Sequence, residues 1–123
     1  MSEPKKILIV DDEIIADILR RRFERMGFSV MTALDGLKGI ELIKHENLNL
    51  IVCDIKMPNG VSGMDVLKAV HKYNPDVHFV ATSGHLSSDK DVQKIMENGA
   101  TMFVKKPFPS LREVTEKIAN LVA

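Results

Sequence analysis

Five short apolar runs alternate with five stretches whose apolar residues recur at helical spacing, and this alternation constrains the fold of the chain more than any other feature. The runs are Ile7-Leu8-Ile9-Val10, residues 28–33, Leu50-Ile51-Val52-Cys53, residues 77–82 and residues 101–105. Between them, Ile15, Ile18, Leu19, Phe23 and Met26 mark a first helix that stops at Gly27. Leu37, Ile40 and Ile43 mark a second, and Met64, Leu67 and Val70 a third that ends near Tyr73-Asn74-Pro75. Val92, Ile95 and Met96 belong to a fourth, capped from among Ser87, Ser88, Asp89 and Asp91 and closed by Gly99. Val114, Ile118 and Leu121 form the last stripe, behind the capping-box spacing of Ser110 and Glu113. Strands alternating with helices imply a parallel sheet covered on both faces by right-handed crossovers. The first, third and fourth runs are continuously apolar, as central strands are; the second and fifth are mixed, as edges are. The expected fold is therefore α/β: a flavodoxin-like, doubly wound (βα)5 sheet of order 2-1-3-4-5.

With 123 residues and no linker, repeat or low-complexity tract, residues 1–123 read as one domain. Seventeen basic and seventeen acidic residues balance to zero, which argues against a nucleic-acid partner bound by bulk charge. No apolar run approaches the roughly 20 residues that span a bilayer, and the charged start lacks the apolar core of a signal peptide. A lone cysteine cannot form an internal disulfide, so a cytoplasmic setting is expected, with Cys53 a small core residue.

Chemistry collects at the strand ends. Asp54 follows the most apolar run, and the C-terminal edge of an open α/β sheet is where ligands bind. In the order above, Asp11, Asp12 and Asp54 converge on the switch point. Two unit charges about 4 Å apart cost on the order of 4 kcal/mol at an effective dielectric of 20, so a cluster of acids calls for a cation, a lysine or a proton. Mg2+ takes one or two carboxylates beside a phosphate. Alternatively, Asp11 and Asp12 cap the first helix. Ser83 offers a hydroxyl to a phosphoryl oxygen or is a loop serine; Lys106, before Pro107, balances the acids or is a solvated surface charge.

These motifs resemble the receiver domain of two-component response regulators: Ile7-Leu8-Ile9-Val10-Asp11-Asp12-Glu13, Asp54-Ile55-Lys56-Met57-Pro58, Thr82-Ser83-Gly84, Gly99-Ala100 and Lys105-Lys106-Pro107-Phe108. The resemblance, to a single-domain regulator of chemotaxis type or a phosphorelay intermediate, implies that Asp54 accepts a phosphoryl group from a histidine kinase or phosphotransfer protein. It implies Mg2+ held by Asp11, Asp12, Asp54 and the backbone carbonyl of Lys56, with Ser83 and Lys106 on the phosphoryl oxygens. Phe103 matches the switch aromatic and Ser83 its partner hydroxyl. Lys56 and His85 occupy positions that modulate phosphoryl lifetime, and the Lys106-Pro107 bond is cis. The fourth helix, fifth strand and fifth helix, residues 87–122, would bind a downstream protein, with no output domain in this chain. Such a domain catalyses its own phosphorylation and dephosphorylation rather than conventional turnover. Arg20, Arg21, Arg22 and Arg25 are a solvated face or contact the phosphodonor. The loop from Asp54 to Gly63 looks one residue longer than the common spacing. The competing readings are a pseudo-receiver that only binds, a fragment of a larger regulator, and an aspartyl-phosphate hydrolase; Lys56 stands where such hydrolases commonly place a second acid.

Overall fold

The computed structural model describes residues 3–57, 60–84 and 88–122. Its elements run β1 (Lys6–Val10), α1 (Glu13–Arg25), β2 (Ser29–Ala33), α2 (Gly36–His45), β3 (Leu50–Asp54), α3 (Gly63–Tyr73), β4 (His78–Ser83), α4 (Asp89–Glu97), β5 (Met102–Lys105) and α5 (Leu111–Asn120). All strand pairings are parallel and the order is β2-β1-β3-β4-β5, as the apolarity of the runs anticipates. The edge strands are the less buried ones, while β1 and β3 are closed to solvent over nearly their whole length.

Successive strand residues point to opposite faces, and this splits the interior in two. Leu8, Val10, Ile51, Cys53, Phe79 and Ala81 face Ile43 of α2, Val66, Leu67 and Val70 of α3, and Ile95 of α4. Ile7, Ile9, Leu50, Val52 and Val80 face Ala16, Leu19 and Phe23 of α1 and Val114 and Ile118 of α5. Fully burying each large aliphatic side chain is worth about 1.5–3 kcal/mol, so these two layers supply the main stabilisation.

Caps fix the helix ends that place the site. Asp12 Oδ1 accepts the Ile15 amide at the start of α1. Ser62 with Asp65, and Ser88 with Asp91, form complete capping boxes on α3 and α4. On α5 the Glu113 amide donates to Ser110 Oγ, which is the serine half of the expected box. Gly27, just past α1, takes φ +98°, the left-handed conformation expected of a residue closing a helix.

Two helix stripes differ from expectation. In α1, Ile18 is 40% and Met26 37% exposed, because the buried line runs through Ala16, Leu19 and Phe23 and Met26 is already the C-cap. In α2, Leu37 is 67% exposed, and the buried line is Gly36, Gly39, Ile43. That helix meets the sheet at Gly39, where a Cβ would sit 2.9 Å from Val10 Cγ2, while Gly36 packs on Val61. A search for apolar side chains cannot see a face made of glycine. Among the described residues no helix is long and apolar enough to cross a membrane.

Candidate functional site

Asp11, Asp54 and Lys106 meet at the C-terminal edge of the sheet. β1 lies between β2 and β3, and the Asp11 amide donates to the Ala33 carbonyl at 3.2 Å, fixing the residue just beyond β1. Asp54 ends β3, pairs in register with Thr82, and is followed by an Ile55 amide that donates to Thr82 O at 2.9 Å. Lys106 follows β5; its amide donates to Ser83 O at 2.7 Å, and the Lys106-Pro107 bond is cis, as the family resemblance implies. Lys106 Nζ then donates to both oxygens of Asp11 and to Asp54 Oδ2, each at 3.1 Å.

The two adjacent acids separate. Asp12 caps α1 through its Oδ1. Asp11 is not a cap: it is 1% exposed and accepts from Lys106, from the Asp12 amide at 2.7 Å and, at a long 3.5 Å, from Thr82 Oγ1. Burial drives its pKa from the ordinary 3.8 up to about 6; Lys106 and the Asp12 amide pull it back, and the nearby Asp54 charge adds to the rise. For Lys106, burial works against the charge, yet Asp11 and Asp54 outweigh it and hold the ammonium above its ordinary pKa. The exchange is lopsided. One ammonium shared by two carboxylates stabilises itself but leaves Asp11 undercompensated.

Ser83 is buried at the end of β4. It borders a cavity of about 440 Å³ under α4, together with Val92, Gln93 and the half-buried Phe103. The Lys56 amide donates to Asp54 Oδ1 at 3.3 Å, while the Lys56 ammonium faces Asp91 Oδ2 at 3.7 Å. Cys53 is fully buried and its Sγ donates to the Asp54 carbonyl at 3.3 Å; burial, then the Asp54 charge, drives its thiol pKa well up, so it is an inert core residue. His85 and Pro58, both singled out from the sequence, lie outside the described residues.

Gly63 is a site residue that sequence reasoning assigned only to a loop. It opens α3 and is buried, and a Cβ there would stand 2.7 Å from Asp54 O and 2.8 Å from Ile55 Cα, both backbone atoms that cannot swing aside. Gly63→Ala is expected to cost about 1–3 kcal/mol by overpacking, read as a lower urea midpoint, and to displace Asp54. An unchanged midpoint would refute this.

The arginines of α1 are largely engaged within the chain. Arg20 pairs with Asp17 at 2.7 Å and Glu24 at 2.5 Å, Arg21 with Asp17 at 3.1 Å, and Arg22 Nε donates to Thr115 Oγ1 at 3.3 Å. Exposed pairs of this kind are worth little. They fit a solvated face.

A model of the response regulator receiver domain matches residues 7–119. The chain belongs to that family, the receiver domains of two-component systems. Its structure is similar to a CheY-like receiver domain protein from Methanospirillum hungatei JF-1, with 31% identity, a TM-score of 0.88 and coverage of 97% of this chain and 94% of that one. A receiver domain of the Francisella response regulator 1452 is 30% identical at a TM-score of 0.81, with 95% of each chain covered. A Vibrio cholerae chemotaxis protein, 24% identical at a TM-score of 0.82, with 95% of this chain and 98% of that one covered, shares the fold.

Proposed function

We propose that Asp54 accepts a phosphoryl group from a histidine kinase or phosphotransfer protein in a Mg2+-dependent reaction, and that this switches a partner-binding face. The observation that carries the reading is the Lys106 ammonium, held 3.1 Å from both Asp11 and Asp54 at the sheet edge. An Asp54 oxygen attacks phosphorus, the P–N bond of the phosphoimidazole breaks, and the departing imidazole nitrogen takes up a proton. With acetyl phosphate the P–O bond breaks and acetate leaves. Lys106 meets charge on the equatorial oxygens, and the buried Ser83 hydroxyl donates to one of them. Charge neutralisation and positioning of this kind account for most of phosphoryl-transfer catalysis.

Mg2+ fits the donor set. Among the described residues no group of three or more Asp, Glu, His or Cys side chains is placed to hold a metal ion by itself, but Mg2+ keeps most of its waters and needs only one or two carboxylates. The undercompensated Asp11 supplies one, with Asp12, Asp54 and the Lys56 carbonyl as the remaining donors. Bound there, the cation neutralises phosphoryl charge. Lys56 and His85 set access of water to the phosphoryl group and so its lifetime. Ser83 and Phe103, flanking one cavity, carry the change toward α4, β5 and α5, where a downstream protein binds. Residues 1–123 act as one receiver unit, in the cytoplasm.

Incubating the chain with Mg2+ and acetyl phosphate is expected to add one phosphate by intact mass, and none when the cation is chelated. A wild-type chain that stays unmodified would leave a binding-only pseudo-receiver; rapid multiple turnover would mean a hydrolase.

A further inference from the structure

Among the described residues, α4 has one fully buried side chain, Ile95, where the other helices bury three or more residues. Side chains tie its two ends to neighbouring segments. At the C-terminal end His71 Nε2 lies 2.7 Å from Asn98 O. At the N-terminal end Lys56 Nζ stands 3.7 Å from Asp91 Oδ2.

The second tie is built to open. Asp91 is fixed by its own helix: its Oδ2 accepts the Ser88 amide at 3.0 Å, and the Asp91 amide donates to Ser88 Oγ at 3.2 Å. Those Ser88 bonds lead the effects that hold the Asp91 carboxyl below its ordinary pKa, ahead of Lys56. The carboxylate therefore stays in place whether or not the lysine is there. Lys56 is half exposed on a flexible stem, and exposed ion pairs at such distances are weak. Lys56 is also two residues beyond Asp54, with its amide already on Asp54 Oδ1 at 3.3 Å.

Charge decides where the Lys56 ammonium goes. Asp11 and Asp54 already share the single ammonium of Lys106. A phosphoryl group on Asp54 turns one negative charge into about two, by analogy with other phosphorylated side chains, so that even with Lys106 and a divalent cation in place the acids Asp11, Asp12 and Asp54 carry about one negative charge in excess. We propose that Lys56 and Asp91 form a charge-operated latch: phosphorylation of Asp54 draws the Lys56 ammonium off Asp91 and frees the first turn of α4 from the segment after β3. The latch rests on Asp54 being the phosphoacceptor. It makes Asp91 a positioning residue, acting on the site only through Lys56.

Amide hydrogen exchange of residues 89–92, followed with and without Mg2+ and acetyl phosphate, tests it. In the wild type, phosphorylation speeds exchange about two- to fivefold, the range set by the loss of an exposed ion pair. In Asp91→Asn, whose amide oxygen still accepts from Ser88, exchange is already fast and phosphorylation adds nothing. Lys56→Ala reproduces the fast exchange without phosphate while leaving the cap intact, which separates the latch from damage to the helix end. Phosphate uptake by mass with unchanged exchange in the wild type overturns the latch alone, as does equal acceleration in Asp91→Asn. Failure of the wild type to take up phosphate overturns the phosphoacceptor reading and the latch with it.

Discussion

Asp54→Asn is expected to abolish phosphate incorporation from acetyl phosphate, leaving intact mass unchanged under conditions that fully modify the wild type. An amide oxygen is a far poorer nucleophile than a carboxylate, and the neighbouring acid cannot substitute. Asp11 is buried beneath Lys106 and accepts from three donors, so its oxygens do not face an incoming phosphoryl group. Asn matches Asp in shape and still offers an oxygen to the Lys56 amide, so the fold should persist. The loss is then chemical, and a urea transition close to that of the wild type distinguishes it from unfolding. Incorporation in Asp54→Asn at the wild-type level would refute the assignment.

Asp11→Asn, by contrast, should raise stability. The folded-state pKa of Asp11, about 6, exceeds its ordinary 3.8, so between those values the folded chain binds more protons than the unfolded one. Stability therefore falls as pH rises from about 4 to about 6, and the penalty persists above. A rise of about 2 units corresponds to about 3 kcal/mol. Because Asn also takes a charged partner from Lys106, the expected net gain is about 1–3 kcal/mol at pH 8 without divalent cations. It shrinks toward zero near pH 4. Urea unfolding at several pH values reads this directly; a wild type more stable than the variant at pH 8 would overturn it. In the wild type, Mg2+ at about 100 times its dissociation constant adds roughly 2.7 kcal/mol if it binds only the folded state. Asp11→Asn should lose most of that increment. On this reading one residue costs stability in the cation-free chain and would restore it with the cation bound.

Which strands are central and which are edges was readable because burial on both faces leaves a continuous apolar run and burial on one face an alternating one. That contrast separates β1, β3 and β4 from β2 and β5 without any knowledge of contacts. The approach of α2 was not readable, since Gly36 and Gly39 pack by lacking a side chain. Asp11 and Asp12 have the same local sequence context, and only their placement beside Lys106, 95 residues away from Asp11, tells them apart. Gly63 looks like a loop glycine until the carbonyl of Asp54 is seen against it. The partner of Lys56 was hidden for the same reason: Asp91 announces itself only as a cap.

The sheet that splits the interior also acts as a firewall for sequence change. Ile9 and Val52 answer to α1 and α5, while Leu8 and Cys53 answer to α2, α3 and α4, so repacking one compartment leaves the other's side chains untouched. The lightly held α4 sits in one compartment and α1 in the other. Substitutions that strengthen packing around Leu19 and Phe23 can raise the melting temperature without stiffening the helix that carries Asp91. For α4, packing on the α1 side can therefore be changed separately; α5, whose Val114 and Ile118 share the α1 compartment, is the element through which the two remain coupled.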